Sequence, residues 1–179
     1  WSVGDSGDIS TAGGTIAATV QKISSNSAII VEDGQVIPST TLNDIASTWE
    51  STIFPTVTSY FGIAPDVDNN CQIEIVIFSI DGAGGIGGYF VPGLSSSTDS
   101  LFIDIDDLSW RNTIIAHEFQ HLLHNARDPF EFIWIDEGAA DMAAYLCFGV
   151  TNTLTGHANA WSQNSNMSVR WWNQRIADY

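Results

Sequence analysis

Apolar and polar positions follow two rhythms along this chain. Thr15–Ile23 and Ala28–Asp33 are rich in apolar and β-branched residues and flank the turn Ser24-Ser25-Asn26-Ser27, which predicts two strands. Gln72–Ile80 (QIEIVIFSI) predicts another. Ser100–Asp106 (SLFIDID) alternates toward its end, as a half-exposed strand does. The helical rhythm appears first over Thr41–Tyr60, where Leu42, Ile45, Trp49 and Ile53 share a face and Pro55 is placed to interrupt it.

Two further helices are predicted. One spans about Ser109 to Asn125, with Ser109 as N-cap, Asp106 and Asp107 near its positive end, and Asp128-Pro129 closing it. The other spans about Ile135 to Cys147 and stops at Gly149. Residues 1–14, rich in Gly, Ser and Asp, read as an irregular lead-in. The Gly-rich loop Asp81–Gly93 has no P-loop lysine and so gives little support to a phosphate site. Thr151–Tyr179 is polar and Trp-rich, with one more helix expected after Ser168.

The 179 residues fit one domain, 1–179. Lys+Arg number 5 against 21 Asp+Glu, a net charge of −16, with Lys22 the single lysine. Nucleic acid is thereby disfavoured as a partner, and so is an anionic membrane surface. No apolar run is long enough to span a bilayer. The acidic, lysine-poor balance suits a secreted protein. A start at Trp1 and an end at Tyr179 without a stop signal suggest a processed chain that continues beyond Tyr179. Cys71 and Cys147 would either bridge or remain buried thiols.

Three of the four histidines lie in one short segment, IIAHEFQHLLH, at His117, His121 and His124. Four residues apart on a helix, His117 and His121 share a face and can grip one ion, with Glu118 beside them to handle a metal-bound water. His124 is two turns from His117, a rise of about 10 Å, too far to join both on one ion. It reads as a polar residue at the helix C-terminus, where its protonated form is favoured. The HExxHxxGxxH pattern fails at His124 and Arg127.

The third ligand is sought in WIDEGAAD, residues 134–141, where Glu137 is the first choice and Asp136 the alternative. Small residues at Gly138, Ala139, Ala140, Ala143 and Ala144 would let a second helix approach the first closely. Asp141, one turn beyond Glu137, is placed either to accept the other ring N–H of a metal histidine or to lie on the helix surface.

HEFQH followed by WIDEGAAD, with the loop Gly87-Gly88-Tyr89-Phe90, resembles the gluzincin zinc metallopeptidases. Within these the closest likeness is to the hyicolysin-type secreted bacterial peptidases. The resemblance covers about Gly87 to Ala144. It implies a zincin-like α+β fold: a mixed sheet, an active-site helix, and a second helix carrying the third ligand. It further implies one catalytic Zn2+ on His117, His121 and Glu137, Glu118 as general base and acid, and Asp141 behind a histidine. The expected activity is a metalloendopeptidase acting on protein or peptide.

The thermolysin pattern also has an oxyanion-stabilising tyrosine between the second histidine and the glutamate, and none stands between His121 and Glu137. Tyr145, His157, Arg170 and Tyr179 remain as candidates for that role. Ser100, Leu101, Phe102, Ile103 and Asp104 would form either a sheet edge that pairs with substrate or an ordinary internal strand. Asp66–Asn70 (DVDNN) and Asp104–Asp107 invite a Ca2+ reading, although the former also suits a solvated turn. Two other functions stay open: a non-catalytic zinc-stabilised binding module, and a zinc hydrolase acting on another ester or amide.

Overall fold

A computed structural model describes residues 1–94 and 99–163. Its element order is β1 (Ser6–Thr11), β2 (Gly14–Ile23), β3 (Ser27–Glu32), α1 (Ser39–Thr48), a π-helical turn (Trp49–Ile53) and α2 (Phe54–Phe61). There follow β4 (Ile73–Phe78), β5 (Gly88–Tyr89), β6 (Ser100–Asp104), a 3-10 turn (Ile105–Asp107), α3 (Arg111–Asn125), α4 (Ile133–Phe148) and α5 (Asn152–Gln163). This is an α+β protein built on one mixed six-stranded sheet, in the order β1-β2-β3-β4-β6-β5.

The pairing follows from burial. β3 and β4 are almost wholly apolar and pair in parallel at the centre, as strands covered on both faces do. One face packs Ile29, Ile75, Ile77, Leu101 and Ile103 against Ile45, Trp49, Ile115 and Phe119 of the helical segments. The other face holds a smaller cluster around Val20, Val76, Phe78 and Phe102. Tyr89 stacks on Phe102 with ring centroids 4.9 Å apart, and its hydroxyl oxygen accepts a hydrogen bond from Ala12 N–H at 3.1 Å. The short β5 is thereby tied to the β1–β2 turn.

Four sequence expectations need correction here. Residues 1–14 are not an irregular lead-in, because β1 pairs with β2 in antiparallel register from Ser6↔Thr19 to Thr11↔Gly14. Its residues are mostly exposed, so it carries little apolar signal. Nor is Ser100–Asp104 half-exposed, and of its two expected roles it takes the internal one. β6 is buried at every residue and paired on both sides, parallel to β4 and antiparallel to β5. The edge on that side of the sheet is β5, inside the glycine-rich loop.

Ser109 does not cap α3, which starts after Trp110 without a side-chain cap. The helix ends at Asn125, as expected and just ahead of Asp128-Pro129, and the Arg127 guanidinium donates to the Leu123 carbonyl at 2.9 Å. Gly138 is not a close-approach residue either, since a Cβ there would meet nothing within 4 Å.

Pro55 sits in the first turn of α2, just after the π turn, where its missing N–H is tolerated. Gly149 ends α4 with φ 73°, a value glycine adopts freely. α5 lies within the polar, Trp-rich stretch that begins at Thr151, and the helix expected after Ser168 falls outside the described residues. Cys71 and Cys147 are both free thiols, the first exposed and the second half-buried. Among the described residues no helix is long and apolar enough to cross a membrane.

Candidate metal centre

α3 is anchored from behind. Phe119 is fully buried against Trp49 and Phe54, with ring centroids 4.6 Å and 5.8 Å away. That anchor turns the adjoining face, with His117 and His121, toward α4. Ala140, Ala143 and Ala144 are buried, so α4 can lie close along α3.

Three ligand atoms converge across this contact. His117 Nε2 is 3.1 Å from His121 Nε2 and 3.2 Å from Glu137 Oε2, and His121 Nε2 is 3.5 Å from the same oxygen. A cation with bonds of about 2.0–2.1 Å to three corners of a tetrahedron holds those corners about 3.3–3.4 Å apart. The triangle therefore has the size of one face of a zinc coordination shell, and two imidazole nitrogens with one carboxylate oxygen suit that ion. Glu137, not Asp136, supplies the carboxylate.

Behind the triangle each histidine has an acidic neighbour. Asp141 Oδ1 is 3.2 Å from His117 Nδ1, and Asp136 Oδ2 is 2.9 Å from His121 Nδ1. The second contact is close but off the N–H axis, so it is an electrostatic pairing more than a directed hydrogen bond. Carboxylates placed this way favour Nδ1–H and so turn the Nε2 lone pair toward the centre of the triangle, as binding a cation would require. Asp136 precedes Glu137, so its side chain is turned about a quarter of the way round the helix, toward His121. From sequence alone it is only a rival ligand to Glu137.

The charges of the carboxylates divide. Burial opposes ionisation of Glu137, but His117 and His121 hold its carboxyl down at about 2. Burial likewise opposes ionisation of Asp141, and its contacts with His117 and His157 outweigh it, keeping that carboxyl well below its ordinary range. Glu118 moves the other way. It is buried, and desolvation raises it despite the two nearby imidazoles and a hydrogen bond from the Phe90 main chain. Burial disfavours the imidazolium at His117 and His121, yet both stay above their usual range. Asp141 and then Glu137 are responsible at His117, and Asp136 and then Glu137 at His121.

A cleft of about 310 Å³ opens beside the triangle, lined by Glu118, His117, Asp141, His157, Trp110, Ile114 and the glycine loop. A second hollow of about 250 Å³ lies on the His121 and Glu137 side, next to Phe90 and Pro92. β5 and the residues after it run from one hollow to the other. Gly88 permits this crossing, because a Cβ there would lie 2.6 Å from Ile114 Cγ2 and 2.8 Å from the Phe102 carbonyl.

The oxyanion candidates separate. His157, on α5, lines the cleft, and its Nδ1 is 2.7 Å from Asp141 Oδ2. Tyr145 is about half exposed and lines a different groove with Met142 and Val150, away from Glu118. Arg170 and Tyr179 lie outside the described residues.

Of the calcium candidates, Asp66 and Asp68 join Asp99 in bringing one carboxylate oxygen each within 4.8 Å of the others. Each also accepts a main-chain N–H, from Cys71, Asn70 and Val67 respectively. The stretch Asp104–Asp107 is turned to main-chain work: Asp104 accepts from Asp106 N–H and Asp107 from Gly84 N–H. No protein-family model matches the chain, and no curated protein matches it significantly.

Proposed function

We propose that this chain is a zincin-like zinc endopeptidase, with His117, His121 and Glu137 as the metal ligands. The observation that carries the reading is the triangle of 3.1, 3.2 and 3.5 Å between their ligand atoms, set beside a buried Glu118 in an open cleft. When bound, a zinc ion here lowers the pKa of water and polarises a carbonyl group.

The chain's own residues supply the rest. Glu118 takes the proton from the attacking water and passes it to the leaving amine. Its raised proton affinity suits a group that must hold a proton between those steps. His157, held by Asp141, faces the cleft and donates to the developing oxyanion. β5 is an edge strand alongside the centre and offers main-chain groups to an extended peptide. The cleft residues named above include no lysine or arginine, which suits a peptide main chain better than a polyanion.

A purely structural zinc site has no use for a buried carboxylate beside an open cleft, which sets this reading apart from a zinc-stabilised binding module. The test is digestion of casein and of unstructured peptides by the zinc-loaded chain, beside Glu118→Gln. Cleavage by the wild type alone supports the proposal. Hydrolysis of small esters with no cleavage of any peptide assigns the centre to another hydrolase.

A further inference from the structure

Both metal-facing histidines share their carboxylate partner with a second histidine. Asp141 lies between His117 and His157. Asp136 lies between His121 and His124, with 2.9 Å from Oδ2 to His121 Nδ1 and 2.9 Å from Oδ1 to His124 Nδ1. All four histidines of the chain thus belong to one network.

The two outer histidines are placed differently. His157 lines the cleft. His124 lines neither hollow flanking the centre, so it reaches the metal site only through Asp136. Its ring is also held from its own helix by the buried Gln120, whose amide end is 3.2 Å from Nδ1. One nitrogen cannot both accept from an amide N–H and donate to a carboxylate. With the amide turned so that Oε1 faces the ring, Nδ1–H donates to Gln120, while Asp136 Oδ1, 2.9 Å away but off hydrogen-bond geometry, is drawn to the same N–H electrostatically. Asp136 Oδ1 is buried without a directed hydrogen bond, so loss of His124 removes the 2.9 Å electrostatic contact that faces it.

We propose that His124 is a positioning residue for the metal centre. It holds Asp136 so that the second carboxylate oxygen stays on His121 Nδ1 and His121 Nε2 stays turned to the metal. The inference rests on the zinc reading of the site. It replaces the role expected from sequence, a charge at a helix C-terminus, with one that acts on the metal.

The test is the rate at which the zinc-loaded chain loses zinc to a chromogenic chelator, with the melting temperature of the metal-free chain measured alongside. His124→Leu fills the space without a donor, and His124→Asn keeps one. The Leu variant should lose zinc about 10-fold faster or more, the scale usual for a partner behind a metal histidine. The Asn variant should stay close to wild type, and both metal-free chains should melt as wild type does. Adding His124→Leu to Asp136→Ala should change nothing further, because both act on one path.

Wild-type zinc loss from the Leu variant overturns the proposal. So does equal acceleration in Leu and Asn with lower melting of both metal-free chains, which is the signature of a helix-end role. If the Leu variant does not fold, His124→Ala takes its place. A wild-type chain that takes up no zinc overturns the site reading itself, whereas zinc held by wild type and kept equally by the Leu variant overturns only the role of His124.

Discussion

His157 Nδ1 is 2.7 Å from Asp141, the same carboxylate whose other oxygen lies 3.2 Å from His117 Nδ1. One side chain thus orients a proposed metal ligand and a cleft-facing imidazole together. Asp141→Asn should therefore damage two functions. Zinc affinity should fall about 10- to 100-fold, and turnover should remain low even at saturating zinc. His157→Leu should lower kcat by about 100-fold while zinc affinity stays at the wild-type level. Competitive zinc titration and single-turnover kinetics separate these. Equal zinc loss in both variants would contradict the division of roles.

Glu118→Gln should keep the metal and lose turnover by about 100-fold to 10,000-fold, the usual worth of a positioned acid–base group. Gln preserves the shape and a hydrogen-bond acceptor for the Phe90 main chain but cannot shuttle the proton. Zinc content by elemental analysis and peptide hydrolysis on the same sample check both halves. Retained turnover with retained zinc would remove Glu118 from the mechanism.

Gly88→Ala should distort β5. The new Cβ would approach Ile114 Cγ2 and the Phe102 carbonyl at 2.6 and 2.8 Å, and relieving that overlap costs about 1–3 kcal/mol. Adding Ile114→Ala should not restore stability, because the Phe102 carbonyl is main chain and stays in place. Thermal melts of the single and double variants decide this. Full rescue would show that side-chain contact alone sets the position of β5.

Away from the centre, Glu74 on β4 is almost wholly buried, and burial pushes its carboxyl up to about 7 from an ordinary 4.5. The unfolded chain gives up this proton more readily than the folded one. The stabilising contribution is therefore complete below pH 4.5 and is lost as pH rises through 7. The gap corresponds to on the order of 3 kcal/mol. Glu74→Gln, which imitates the neutral acid, should raise the melting temperature at pH 8 and leave it nearly unchanged at pH 4.5. An unchanged melt at pH 8 would contradict the assignment.

Much of this arrangement was legible in the sequence where a residue's neighbours lie on its own helix. The i, i+4 spacing of His117 and His121, and of Glu137 and Asp141, puts each pair on one face whatever the tertiary context. What the sequence hid depends on contacts between elements. Asp136 finds His121 and His124 only once α4 is laid along α3. His157 reaches the cleft only through the placement of α5, a relation between elements that local spacing does not show. The edge position of β5 and the internal position of β6 were hidden for a similar reason. Gly88 and Tyr89 form too short a strand to show alternation, whereas the polar end of SLFIDID looks exposed although Asp104 is buried and accepts main-chain N–H groups from Ile80 and Asp106.

The central claim is that His117, His121 and Glu137 hold one zinc ion. Bound zinc per chain, measured by elemental analysis in wild type and in Glu137→Ala, tests it most directly. The predicted result is about one zinc in the wild type and a large loss in the variant, with both chains folded. Equal zinc in both would contradict Glu137 as a ligand, and no zinc in a folded wild type would contradict the metal centre altogether.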